Sequence, residues 1–289
     1  MNVLSFGEML WDVYPDNRYI GGAPLNFAAH LAKHGETVFM LSAVGNDELG
    51  TAALDQLEKW GVAPDLVATI HDVPTGRCLV TLDERSVPSY DLLNDVAYDY
   101  IHTDIVGDAF DVLYFGTLAL RSEHNRRALQ RLLDTHSFSN VFVDVNIRPP
   151  FYSEESVAFA VEHATVLKVS DEELRIVANL LNIPETDDYK AFAATLADRY
   201  PRLRCIIITC GGDGAYALDC NTRQAFSCGC ADVSVVSTVG AGDSFSASFL
   251  HKYGAGNPIP ACLAYASKVA GYVVSQYDAV PDYKAEDFE

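Results

Sequence analysis

The chain has 289 residues, 49% of them hydrophobic, enough for one large α/β domain or two ordinary ones around a sizeable core. Forty acidic against 20 basic residues leave a formal charge of -20, which argues against nucleic acid or an anionic membrane surface as partner. An anionic ligand would need local help from backbone amides, a few placed Lys or Arg and a divalent cation.

The seven cysteines are odd in number and none forms a C-x-x-C pair. Most sit in apolar or strand-like surroundings, as reduced cytoplasmic cysteines do. The N-terminus shows neither a basic n-region nor a long apolar run, so no signal peptide or membrane span is expected.

In chain order, Val3-Leu4-Ser5-Phe6 reads as a strand followed by Gly7-Glu8. Residues 9–14 are apolar except for Asp12, and Pro15-Asp16-Asn17 is a turn. The loop Gly21-Gly22-Ala23-Pro24-Leu25-Asn26 opens a helix to about His34, ended by Gly35. A strand follows over 37–44, then a helix over about 48–60 that closes at Gly61. Strand, helix, strand, helix is the rhythm of a parallel sheet. Residues 66–94 break it, with short strands at 67–70, 77–83 and 90–93 and the turn Asp83-Glu84-Arg85-Ser86 between the last two. With residues 10–20 they are expected to form a small antiparallel lid on one domain spanning 1–289.

The alternation resumes with strands at 112–115, 141–144 and 166–169 and helices at about 123–136 and 154–163. Ser170-Asp171-Glu172-Glu173 reads as a capping box opening the next helix. A helix over about 188–199, a strand at 205–209, a hairpin over 215–219 and 223–227, and a last helix over about 259–275 complete the pattern. Polar residues collect where the apolar strands end: Asn146 and Arg148, Glu173, then Thr209 and Gly211. Ligands bind at that edge of an open parallel sheet. Each residue also has a plain structural reading, as an Asx turn, a surface arginine or a capping-box glutamate.

The most informative stretch is Ser237-Thr238-Val239-Gly240-Ala241-Gly242-Asp243-Ser244-Phe245. Val233-Ser234-Val235-Val236 before it reads as a strand; Phe245, Phe249 and Leu250 after it recur at helical spacing. A glycine turn opening a helix offers free N–H groups and the positive end of the dipole to an anion. Asp243 at its rim either caps the helix or takes a proton from a hydroxyl that attacks phosphorus. Its place at a helix N-terminus is expected to lower its pKa. No Gly-Lys pair occurs, which removes the G-x-x-x-x-G-K-[ST] loop, and Phe245 stands where G-x-G-x-x-G has its third glycine. His30 and His34 lie one helical turn apart, but Leu31 replaces the Glu of a zinc-protease motif, so a solvated helix face is expected. Cys228-Gly229-Cys230 has the wrong spacing for a zinc knuckle.

Together these residues resemble the ribokinase-like (PfkB) family of carbohydrate kinases. The resemblance rests on Gly21 to Ala28, on Thr238-Val239-Gly240-Ala241-Gly242-Asp243, and on 143–148 and 168–174, which look like the fructokinase branch. It implies a large α/β domain with a mainly parallel sheet flanked by helices, a small antiparallel β lid, and an ATP-dependent sugar kinase. Carried over, Asp243 is the base, and the amides of Gly240, Ala241, Gly242 and Asp243 hold the transferring phosphoryl group. Asp12, Gly22, Asn26 and Arg148 contact the sugar, Asp12 accepting hydrogen bonds from vicinal hydroxyls. Thr209, Gly211 and Lys168 border the nucleotide, and Glu173 organises Mg²⁺ through water. Ser237 and Val239 offer carbonyls to a monovalent cation such as K⁺, although Ser237 replaces the Asp usual there and Ser170 replaces a frequent Asn. Fructose is the expected acceptor. The alternatives are 2-keto-3-deoxygluconate or another sugar or nucleoside, with Arg148 and Arg77 available to an acid, or a sugar- or nucleotide-binding sensor without catalysis. A nicotinamide oxidoreductase is disfavoured by the missing glycine. An exposed lid sheet also offers pairing with a second copy.

Overall fold

A computed structural model describes residues 1–288 except 83–87, 108, 109, 185 and 187. The first strands are β1 (Asn2–Phe6), β2 (Leu10–Val13) and β3 (Arg18–Gly21), followed by helix α1 (Ala23–Lys33), β4 (Thr37–Gly45), α2 (Glu48–Trp60) and β5 (Val67–Ile70). Next come β6 (Gly76–Leu82), β7 (Pro88–Leu92), β8 (Val112–Phe115), α3 (Glu123–Thr135), β9 (Asn140–Asp144), α4 (Glu154–His163) and β10 (Val166–Ser170). The chain closes with α5 (Leu174–Leu180), α6 (Tyr189–Arg199), β11 (Cys205–Thr209), β12 (Ala215–Asp219), β13 (Ala225–Cys228), α7 (Ala241–Gly254) and α8 (Ile259–Val274).

Nine strands form one sheet in the order β13-β12-β11-β10-β9-β8-β1-β4-β5. All pairs from β5 to β11 are parallel, and β12 alone is reversed, pairing antiparallel with both β11 and β13. Side chains alternate between two cores, as a pleated sheet with both faces covered requires. Leu113 and Phe115 pack with Val157, Val177 and Phe192 on one face; Val112 and Tyr114 pack with Phe27, Leu31, Phe249 and Leu263 on the other. Phe27 lies flat on Tyr114, ring centroids 3.6 Å apart, which seats α1 against the sheet. Full burial of such a ring contributes about 1.5–3 kcal/mol.

A second sheet of four strands, ordered β3-β2-β6-β7, stands in the place of the expected lid. It is antiparallel at both ends, but β2 and β6 run parallel. Three expectations need correction or restriction. Strand 67–70 does not belong to the lid: β5 pairs parallel with β4 as the edge of the large sheet, because α2 returns the chain there. Residues 233–236 form no strand; they run beside α8, with Val236 and Ser237 donating to the Val274 carbonyl, and the sheet already ends at β13. The turn assigned to Asp83-Glu84-Arg85-Ser86 lies outside the described residues.

Candidate active site at the start of helix α7

Gly240 sits in the left-handed region at φ 79, and a Cβ there would stand 2.3 Å from the Ala279 carbonyl oxygen. Only glycine makes this turn. Helix α7 starts at the next residue, and its first internal bond runs from the Ser244 N–H to the Gly240 carbonyl, 2.8 Å. The Ala241 N–H is spent on the Thr238 carbonyl at 3.3 Å, and no acceptor among the described residues takes the N–H of Gly242 or Asp243. Two open donors at the positive end of a helix make an anion site.

Asp243 adds a carboxyl group to this site, and Asn26 on the first turn of α1 holds it, Nδ2 donating to Oδ2 over 2.8 Å. The expected low pKa is not found. Burial raises it to about 6, with the Asn26 hydrogen bond and the charges of Lys168 and Arg148 opposing and Asp144 assisting. The helix end does not compensate for the loss of water around the carboxylate.

Beneath this turn lie two residues of neighbouring strands, one at the end of β9 and one in the middle of β10. Asp144 of β9 and Lys168 of β10 are register partners on the α7 face, both buried. Lys168 Nζ donates to Asp144 Oδ2 at 2.8 Å, and Ser246 of α7 donates to the same oxygen at 3.2 Å. A Cβ on Gly242 would lie 3.5 Å from Lys168 Nζ, so the ammonium sits directly below the open amides. Burial lowers the Lys168 pKa, but Asp144, Glu173 and Asp243 outweigh it and raise the value overall.

Glu173 behaves as the sequence indicated, and does more. Its Oε2 accepts from the Ser170 N–H at 2.8 Å, closing the capping box, and its Oε1 accepts from the Ile147 N–H at 2.6 Å. It thereby ties the loop after β9 to the end of β10. Asn146 in that loop is left-handed at φ 46. Arg148 is exposed and forms no ion pair among the described residues, yet its charge acts on Glu8, Asp12 and Asp243. Thr209 is the register partner of Ser170, with Gly211 exposed in the turn beyond it. Ser237 and Val239 precede the glycine turn, and no donor among the described residues meets their carbonyls.

Asp12 reaches the site from lid strand β2. Burial raises its pKa, while the Cys78 thiol and the charge of Arg148 oppose the shift. The backbone of Gly21 and Gly22 separates it from Glu8: a Cβ on Gly21 would lie 3.3 Å from Asp12 Oδ2, and one on Gly22 2.5 Å from the Glu8 carbonyl oxygen. Asp12, Gly22, Asn26, Arg148, Lys168 and Asp243 are therefore brought together where the four-stranded sheet meets the edge of the large one. Arg77 does not join them. It is opposite Trp11 in the β2–β6 register, one residue out of phase with Asp12 and Cys78, so it leaves the lid on the other face, where its charge acts on Asp47.

Sequence reasoning missed Glu8, Tyr98 and Arg121. Glu8 is buried behind Gly22, and burial pushes its carboxyl to about 7, with backbone amides and Arg148 opposing and Asp243 assisting. Arg121 forks onto Asp99 at 2.8 and 2.9 Å between the rings of Tyr98 and Phe151. Glu8 Oε2, Asn26 Oδ1, Tyr98 Oη and Arg121 Nη1 are buried without a hydrogen-bond partner, as polar atoms are where a polar ligand or water completes a site. Glu8 follows the end of β1, so the rule that found Arg148 and Glu173, polar residues just past apolar strands, also reaches it. Tyr98 and Arg121 carry no such signal.

Residues 7–285 match the family described as pfkB family carbohydrate kinase. A probable fructokinase-5 from Arabidopsis thaliana is 28% identical, covering 96% of this chain and 93% of its own length. A 5-dehydro-2-deoxygluconokinase from Geobacillus thermodenitrificans is 27% identical over 91% of this chain and 82% of its own. Among solved structures, a fructokinase with bound ATP from Xylella fastidiosa superposes with a TM-score of 0.85 at 20% identity, covering 96% and 94% of the two chains. A Vibrio cholerae fructokinase with fructose, ADP and calcium superposes with a TM-score of 0.82 at 21% identity, covering 99% and 98%. At such identities the structures establish a shared fold.

Proposed function

This chain belongs to the pfkB family of carbohydrate kinases, and we propose that it transfers the γ-phosphate of ATP to a hydroxyl of fructose. The observation that carries the reading is the Asn26-held carboxylate of Asp243 beside the open amides of Gly242 and Asp243. A hydroxyl placed there has a proton acceptor on one side and an anion-stabilising helix end on the other. Asp12 and Arg148 hold the sugar, with Asp12 accepting from its hydroxyls, and Gly22 keeps the wall thin enough for close approach. Lys168 adds a fixed positive charge under the transferring group. Thr209 and Gly211 border the nucleotide. The exposed apolar side chains Val235, Val239 and Tyr277, 66%, 54% and 88% exposed, flank the glycine turn and suit the base of ATP.

Mg²⁺ fits as an ion carried in by the phosphates: among the described residues no group of three or more His, Cys, Asp or Glu could hold a metal. Glu173 keeps unused lone pairs for a water-mediated contact, and the ion would neutralise phosphate charge. The unmet carbonyls of Ser237 and Val239 suit K⁺; replacing K⁺ by a bulky organic cation should then slow turnover, and equal rates in both salts would exclude that site.

Fructose is favoured over an acid sugar by charge. Three carboxyl groups, Glu8, Asp12 and Asp243, stand at the site against one exposed cation, Arg148; Lys168 is already paired with Asp144, and Arg77 leaves on the other face. The test is ADP release with ATP, Mg²⁺ and a panel of fructose, ribose, 2-keto-3-deoxygluconate, tagatose 6-phosphate and adenosine. Turnover with the acid sugar and none with fructose would reassign the acceptor. Silence with every member would favour a sensor.

A further inference from the structure

The histidine pair on α1 is not the solvated face its spacing suggested: His30 and His34 are both buried, 0% and 7% exposed. Together with Asn26 they form a stripe at every fourth residue, one face of the helix. Asn26 meets Asp243, and His34 Nε2 meets Ser248 Oγ at 2.9 Å, both partners lying on α7. Between them, His30 Nε2 lies 2.9 Å from the Ala279 carbonyl and His30 Nδ1 2.7 Å from the Tyr283 hydroxyl. A carbonyl only accepts, so Nε2 carries the proton, and Nδ1 of the neutral ring accepts from the Tyr283 O–H. Burial keeps the ring neutral, lowering its pKa to about 4. One tautomer alone satisfies both partners.

The carbonyl held in this way is the wall of the anion turn. A Cβ on Gly240 would stand 2.3 Å from Ala279 O and 2.8 Å from Ala279 Cα, so the turn packs directly on that peptide. One face of α1 therefore touches the transfer site twice, at the carboxylate through Asn26 and behind the amides through His30.

We propose that His30 is a positioning residue for phosphoryl transfer: by fixing the Ala279 carbonyl against Gly240 it aims the N–H groups of Gly242 and Asp243 at the transferring group, and Tyr283 sets the tautomer that allows this. The proposal rests on the kinase reading above. A mere staple of the C-terminal segment would change stability and leave the chemical step alone.

The experiment compares the full-length chain with His30→Leu, His30→Gln and Tyr283→Phe. The glutamine Nε2 can reach where the imidazole Nε2 does and donate to Ala279; leucine fills the space without a donor. On the best sugar, His30→Leu should lower kcat about tenfold, less than the roughly hundredfold of a full ångström of misplacement, with sugar KM little changed. His30→Gln should recover most of that loss. Tyr283→Phe should lower kcat about threefold, the scale of one neutral hydrogen bond; it remains informative if His30→Leu fails to fold. Without substrate, hydrogen exchange at 240–243 and 276–282 should quicken in His30→Leu and in Tyr283→Phe but not in His30→Gln. Unchanged kcat in the leucine and phenylalanine variants, or equal losses in the leucine and glutamine variants, would overturn the proposal. So would unchanged exchange, whether or not the wild type phosphorylates any sugar tried; a wild type inert towards every sugar would count against the kinase reading alone.

Discussion

Asn26 Nδ2 donates to Asp243 Oδ2 over 2.8 Å, joining residues 217 positions apart in the chain. The bond favours the ionised carboxylate against a burial that raises its pKa to about 6. Asn26→Leu should therefore move that pKa upwards. The acid limb of kcat/KM shifts to higher pH, so the variant loses more activity at pH 6 than at pH 8. An acid limb that stays in place would mean that the bond holds no catalytic proton acceptor.

Asp243 and Asp12 should separate in steady-state kinetics. In the proposed reaction Asp243 acts as the hydroxyl loses its proton, so Asp243→Asn should cut kcat at least about a hundredfold with little change in sugar KM. The role proposed for Asp12 is to bind hydroxyls in ground and transition states alike, so Asp12→Asn should mainly raise the sugar KM. Near-normal kcat in Asp243→Asn would reduce that residue to a helix cap.

The Lys168–Asp144 pair is buried on both sides, with side-chain exposures of 7% and 2%. Lys168→Met leaves a buried carboxylate without its cation and should cost about 3–5 kcal/mol, read by denaturant unfolding. Adding Asp144→Leu removes the stranded charge and should restore most of the stability. Activity should stay low in the double variant, because the cation below the amides is gone. Full activity there would assign the pair to stability alone.

Glu8 makes stability fall as pH rises. Its folded pKa of about 7 lies above the 4.5 of an ordinary glutamate, so the folded state holds the proton more tightly. The stabilisation from protonated Glu8 is complete below about pH 4.5 and lost as pH rises through about 7, roughly 3 kcal/mol in all. Glu8→Gln cannot lose a proton there. Its Tm should gain on the wild type progressively between pH 5 and pH 8, and a constant difference across that range would refute an ionising Glu8.

Much of this fold was legible locally. Gly61 ends α2 in the left-handed region at φ 74, Ser170 and Glu173 form their capping box, and β12 and β13 pair as the hairpin read from 215–227. These features depend on residues within one or two turns of each other, so the sequence carries them directly. Residues 233–236 failed because four β-branched or small residues look alike whether or not a strand is free to pair with them. Strand β5 was misassigned for the same reason: its residues suit either sheet, and the path of α2 chooses.

What the sequence by itself determined was the set of chemical groups and their order: the glycine turn, Asp243 behind it, Asn26 after Gly21-Gly22, and the polar ends of successive apolar strands. Tertiary structure alone decided which side of a strand or helix each group presents and how much water reaches it. Packing took most of the water from around Asp243, which is half-buried, and reversed the pKa shift expected of a helix N-terminus. Pleating sent Arg77 out of the cleft that Asp12 enters. The docking of α1 against α7 and Ala279 turned a histidine pair that resembled a wet surface into buried contacts behind the anion turn. Desolvation and long-range contact are sums over neighbours distant in sequence, and no local pattern of residue types contains those sums.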